Sequence, residues 1–334
     1  MHSLRTRMCA RHEASRTEGA AATRQRRLQV LLGLVWIADG ALQLQPSMFT
    51  AGFVRGVLLP SAAGNPGVVA VPITTIGRFL EPHVAVWNAG FASLQLLLGI
   101  GLLVRRTVRP ALAVSFVWSL AVWWLSEGLG GLLTGTASPL DGAPGAVLLY
   151  VVVGALAWPR RTAAADATAG SAASLGLLGG RGARVAWAVL WLGSAALLLQ
   201  PANLHGGVLK SVVDGAASGE PGWLSRPLVD VAAALGPSGP TVTLVVASLM
   251  AAVGLGVALA WHDDVFLAGA VVLALAIWVL GEGLGGILTG SGTDPNTGPL
   301  LVLFAFGLRS GPTTSVRRPV TRFAPALPRL RGAH

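Results

Sequence analysis

Apolar runs close to the roughly 20 residues that a helix needs to cross a bilayer recur at about 28–45, 84–104, 110–133, 143–158, 184–200, 240–260, 265–288 and 298–309. No other feature restricts the fold so tightly. Backbone placed in hydrocarbon must satisfy its own hydrogen bonds, and only helices and closed barrels do so. The spacing predicts an all-α, polytopic membrane protein with eight transmembrane helices, the fourth and eighth of them short. Charged residues make up only 11% of the chain, against roughly 25% in an average soluble domain.

The net charge of +10 would suit nucleic acid if the basic residues formed a patch, but they mark one side of a membrane instead. Arg5, Arg7, Arg11, Arg16, Arg24, Arg26 and Arg27 precede the first apolar run. Arg105, Arg106 and Arg109 join the second to the third, and Arg160, Arg161, Arg181 and Arg184 the fourth to the fifth; six more arginines follow the eighth. Only Arg55, Arg78, Lys210 and Arg226 fall on the other side. The positive-inside rule places both termini in the cytoplasm, and 23 arginines to one lysine suit a GC-rich bacterial genome and its inner membrane. Residues 1–27 read as a basic cytoplasmic tail without the apolar core of a secretory signal. Cys9 is the one cysteine, so neither a disulfide nor a thiolate metal cluster forms within the chain.

The stretch "EGLGGLLTG" at 127–135 returns as "EGLGGILTG" at 282–290, an offset of 155 residues. The same offset carries Trp36 onto Trp191, Gln45-Pro46 onto Gln200-Pro201, Pro82 onto Pro237, Trp123 onto Trp278 and Pro144 onto Pro299. It predicts a gap-free tandem duplication: repeat 1 over 28–158 with an external loop at 46–83, repeat 2 over 184–309 with an external loop at 201–238. A small-residue cytoplasmic linker spans 159–183, and a basic tail spans 310–334. Four helices per repeat make the repeats parallel, with any shared site near their interface. The loops read as amphipathic stretches capping the outer end of the bundle or lying among the headgroups.

Carboxylates are costly in a bilayer, by about 2.5–3.5 kcal/mol at a helix centre, and normally face protein or water. Asp39, Glu127 and Glu282 are therefore the candidate binding residues. The glutamates lie about nine residues before the outer ends of the third and seventh helices, roughly 13 Å below them. Gly128, Gly131 and Gly135, and likewise Gly283, Gly286 and Gly290, have the spacing that lets helices pack closely. Trp123 and Trp278, four residues earlier on the same face, offer an indole N–H or an aromatic wall. The offset pairs Arg55 with Lys210, which suggests ion pairs Arg55–Glu127 and Lys210–Glu282. Such pairs either staple loop to bundle or leave the acids to bind a cation, a proton or a polar headgroup. Asp39 faces Ser194 in the other copy, and Asn88 and Gln95 face Thr243 and Met250, so repeat 1 is the more polar copy. "TDPNTGP" at 293–299 reads as a turn. His83, His205 and His262 lack partners at ligand spacing, which argues against a metal or haem site.

Helix 1, "LLGLVWIADGALQLQPSMF", followed by an external segment and three more helices, resembles the DoxX/SURF4-like group of small four-helix membrane proteins, here present twice. The resemblance implies a four-helix unit and membrane redox or envelope roles, some of them linked to quinone. The expected function is a non-enzymatic integral membrane protein, either a subunit of a complex with a protein partner or a transporter-like binder of lipid or polar solute. The alternative is a DoxX-type quinone-linked oxidoreductase subunit, with Glu127 or Glu282 as proton donor. A structural scaffold is the third. No cofactor is evident in the sequence beyond that quinone or lipid, and no nucleic-acid partner is expected.

Overall fold

The computed structural model describes residues 2–159 and 175–309. Most of the linker, the C-terminal tail from 310, and the side chains of Arg5, Arg7, Cys9, Arg11 and Arg16 lie outside what is described. The described chain is helical, with no strand. Its principal helices are α1 (His2–Leu42), α2 (Ala51–Ala62), α3 (Gly67–Leu80), α4 (Val84–Leu103), α5 (Val108–Leu125), α6 (Ala146–Ala157), α7 (Gly179–Leu198), α8 (Val208–Ala217), α9 (Gly222–Leu235), α10 (Gly239–Ala258), α11 (Asp263–Leu280) and α12 (Thr297–Leu308).

Four helical spans are long and apolar enough to cross a membrane: Gly67–Leu103, Val108–Leu125, Gly222–Ala258 and Asp263–Leu280. They turn large apolar side chains outward. Val117 on α5 is 71% exposed and Val272 on α11 is 68% exposed, an arrangement that water would penalise and lipid would not. The other elements fall short for visible reasons. Helices α6 and α12 have 12 residues each, about 18 Å of helix against a hydrocarbon core of about 30 Å. The segments 46–83 and 201–238 are helical, with α2 and α3 in the first and α8 and α9 in the second, and α3 and α9 run on into the spans of α4 and α10. Helix α1 begins at His2 rather than near 28, so the basic tail continues the first helix.

Helix α1 packs on α4, α4 on α5, and α5 on α6; in the second half α7 packs on α10, α10 on α11, and α11 on α12. The halves meet where α6 lies on α12, flanked by α1 and α7. One core runs through both, with Trp36, Tyr150, Trp187, Trp191 and Phe304 fully buried. The close helix approach lies at Gly33 and Gly99, where α1 and α4 run nearly backbone to backbone. A Cβ on Gly99 would stand 2.6 Å from the Gly33 carbonyl oxygen. Near this end of α4, and at the matching end of α10, arginines cap carbonyls left open at helix C-termini. Arg26 donates to Leu102 (2.9 Å) and Leu103. Arg184 donates to Val257 and pairs with Asp263.

Helix bounds recur at the 155-residue offset for α3 and α9, α4 and α10, and α5 and α11. The register then slips. Helix α6 starts at Ala146 and α12 at Thr297, an offset of 151, and Trp123 bonds Pro144 where Trp278 bonds Pro295. Pro144 thus corresponds to Pro295, not to Pro299, because the second connection is four residues shorter. Helices α5 and α11 also end earlier than hydropathy suggested, at Leu125 and Leu280. The glutamates consequently lie past the helix ends instead of deep within them. Gly131, Gly135, Gly286 and Gly290 all have positive φ and form turns rather than a helix-packing stripe.

Replacing Gly99 by Ala is expected to lower the folded, monodisperse fraction in detergent far more than Gly254→Ala. The added methyl at 254 would meet only side-chain carbons, from 3.1 Å outward. Fluorescence-detected size exclusion reads the difference, and equal losses would contradict the close approach of α1 and α4.

Candidate functional site

The site begins with a turn. Past Leu125, both Ser126 N and Glu127 N bond to the carbonyl of Val122. Gly128, Leu129, Gly130 and Gly131 then all adopt left-handed backbone, with φ between 56° and 68°. Only glycine takes such angles without steric cost, so the "GLGG" spelling supplies three of the four positions. Leu129 and Leu284, at φ 57°, bear the strain. The turn reverses the chain and aims each glutamate at the N-terminus of the next helix.

There the carboxylate meets backbone amides that have no partner inside their own helix. Val147 N donates to Glu127 Oε1 at 3.2 Å. Thr297 N and Gly298 N donate to Glu282 Oε2 at 3.2 and 3.3 Å, and the Thr297 hydroxyl donates to Oε1. One helical turn earlier, Trp123 Nε1 donates to the Pro144 carbonyl and Trp278 Nε1 to the Pro295 carbonyl, each at 2.7 Å. Each Trp–Glu pair therefore grips the entry to α6 or α12 by one carbonyl and its first amides. A carboxylate there also favours the positive end of the helix dipole.

The cations expected beside these acids sit elsewhere. Arg55 pairs with Glu81 at 2.5 Å, and Lys210 with Asp214 one turn along α8. Each cation pairs with an acid of its own connecting segment.

The halves differ in what they leave unsatisfied. Both Glu282 oxygens have donors, whereas Glu127 Oε2 is buried with no partner. Asp39 on α1 is 2% exposed; its Oδ2 accepts from Tyr150 at 2.6 Å, and its Oδ1 has no partner. Asn88 and Gln43 close on each other, Gln43 Nε2 to Asn88 Oδ1 and Asn88 Nδ2 to the Gln43 carbonyl. Gln95 Oε1 is buried and unpaired. A third acid joins them from the second half. Asp294 makes the turn before α12, accepting from Asn296 N and Thr293 Oγ1, and its charge acts on Asp39, Glu127 and Tyr150. The sequence marked it as a turn residue, which it is, but carried no local sign of its acidic neighbours.

Two cavities meet at these acids. A polar vestibule of about 620 Å³ lies among the connecting loops of both halves, with Asn65, Thr134, Asp141, Ser291 and Asn296 on its walls. A second cavity of about 430 Å³ runs inward against Trp36, Phe53, Phe79, Trp87, Phe91 and Trp118, with Asp39, Gln43 and Gln95 also on its wall. Glu127 and Asp294 line both. No Lys, Arg or His lines either one. Among the described residues no group of three or more His, Cys, Asp or Glu could hold a metal ion. Glu282, Trp278, Arg55 and Lys210 lie outside both cavities.

Burial, and then the nearby Asp294 charge, push Glu127 up from 4.5 to about 8. Burial pushes Glu282 to about 7, opposed by its Thr297 hydrogen bond. A carboxyl with a raised folded-state pKa binds its proton more tightly folded than unfolded. Its contribution is therefore fully favourable below about 4.5 and is lost as pH rises towards 8. Thermal unfolding in detergent is expected to show a Tm that falls from pH 5 to pH 8.5, and Glu127→Gln is expected to shrink that fall. An unchanged slope in the variant would contradict the burial of Glu127.

Compared with protein families, characterised proteins and solved structures, the chain has no significant match. What the site does rests on its geometry.

Proposed function

We propose that this is an eight-helix integral membrane protein of the DoxX/SURF4-like group, built from two parallel four-helix repeats, with both termini in the cytoplasm of a bacterial inner membrane. In this arrangement it is a non-enzymatic binder, alone or as the subunit of a complex, whose ligand enters an outward-facing cavity between carboxylates and aromatic rings. The matched bounds of α3–α5 and α9–α11 support the duplication. The orientation is supported by the basic residues at the start of α5 and the acids beyond its far end, which place cavity and arginines at opposite ends of the bundle. The observation that carries the function is the meeting of a wet vestibule and an aromatic cavity at Glu127 and Asp294. Concave sites of this size, mostly apolar with a few convergent polar groups, are where small molecules bind.

A second reading, a quinone-linked oxidoreductase subunit of the DoxX type, draws on the same flat aromatic walls beside carboxyls able to donate protons. Stoichiometric quinone extracted from the purified protein would favour it.

Accessibility tests the outward opening. In a Cys9→Ser background, Thr293→Cys is expected to react with a membrane-impermeant cationic thiosulfonate applied to the periplasmic side of intact cells. Reaction in inverted vesicles alone would place the vestibule on the cytoplasmic side and overturn the topology.

A further inference from the structure

The inner cavity holds an imbalance that the fold does not use. Asp39, Glu127 and Asp294 come to it from α1, the α5–α6 connection and the α11–α12 connection, and no basic side chain lines it. Each acid is already held by a donor: Tyr150 OH on Asp39, Val147 N on Glu127, and Thr293 Oγ1 and Asn296 N on Asp294. Three oxygens on the wall, Asp39 Oδ1, Glu127 Oε2 and Gln95 Oε1, remain buried and without a partner. Buried acceptors without partners are costly, and an occupant that brings donors or positive charge removes that cost.

The aromatic walls say what kind of charge. Phe91 and Trp118 stand 5.3 Å apart and Phe79 and Trp87 5.4 Å apart, in tilted pairs. Faces of such rings attract cations that have shed water. A metal ion does not fit, because the acids surround the space without converging on a coordination centre.

The two halves differ at these positions. At the 155-residue offset Asp39 becomes Ser194, Trp87 becomes Val242, Phe91 becomes Val246, Gln95 becomes Met250 and Trp118 becomes Leu273. A scaffold requirement would apply to both halves alike, yet the acid and the aromatic rings are concentrated in one.

We propose that the inner cavity binds a hydrophobic organic cation, an aryl- or alkylammonium, with its charged head among Asp39, Glu127 and Asp294 and its apolar body against Trp36, Phe91 and Trp118. This rests on reading the cavity as a ligand site and names the class of ligand it takes. Phe79, 60% exposed, and Trp87, 38% exposed, stand at a lateral mouth through which such an amphiphile reaches the cavity from the membrane.

Benzyltrimethylammonium and its uncharged isostere neopentylbenzene separate charge from shape. With the full-length protein in nonionic detergent at pH 9, where Glu127 is ionised, calorimetry and quenching of tryptophan fluorescence are expected to show saturable binding of the cation, one per chain. The isostere should bind at least about tenfold more weakly, a difference of about 1.4 kcal/mol. Asp39→Asn should weaken the cation about tenfold and leave the isostere unchanged. Trp118→Leu, the residue at the matching place in the other half, should weaken both. Equal or tighter binding of the isostere to the unmodified protein would overturn the cation assignment while leaving a ligand site. Failure of both compounds to bind would overturn the ligand site as well.

Discussion

A carboxylate bound to the open end of the next helix is the interaction on which the rest of this structure depends. Helices α6 and α12, about 18 Å long, are too short to span the hydrocarbon core from one face to the other. In the proposed membrane setting their N-terminal amides open below the surface, where few waters can satisfy them. Glu127 and Glu282 supply the missing acceptors, and the tryptophan one turn earlier holds the carbonyl beside them. That accounts for a costly carboxylate occurring twice in so apolar a chain. It also accounts for the glycines that follow, since only a left-handed turn brings the carboxylate back onto the helix it caps.

The same cap has diverged between the halves. Glu282 accepts from two amides and a hydroxyl, so both of its oxygens are partnered. Its counterpart bonds one amide and keeps an oxygen free at the junction of two cavities. In our reading one copy retains the structural role and the other adds a binding role to it. Asp294 links the two, because a loop of the second half brings a third acid to the cavity of the first.

The sequence made much of this legible, and the misreadings have physical causes. Helices α4, α5, α10 and α11 start close to where the apolar runs start, because hydrophobicity dominates there. Hydropathy extends α5 and α11 past their ends because it does not distinguish a helix from a left-handed turn built of Leu and Gly. Gly131 and Gly135 fit a packing stripe by spacing, while their backbone angles make them turn residues. Arg55 and Lys210 looked like partners of the glutamates because the offset matched them, but Glu81 and Asp214 lie closer along the chain. Asp294 could not be found by local reading. Its acidic neighbours come from distant segments, and the four-residue slip before α12 hides its place in the register.

Amide hydrogen exchange tests the carboxylate cap most directly. In the unmodified protein the amides of Val147 and of Thr297 and Gly298 should be protected. Glu127→Ala should speed exchange at the start of α6 alone, and Glu282→Ala at the start of α12 alone. Unchanged protection in both variants would show that these helix ends are held by something other than the glutamates.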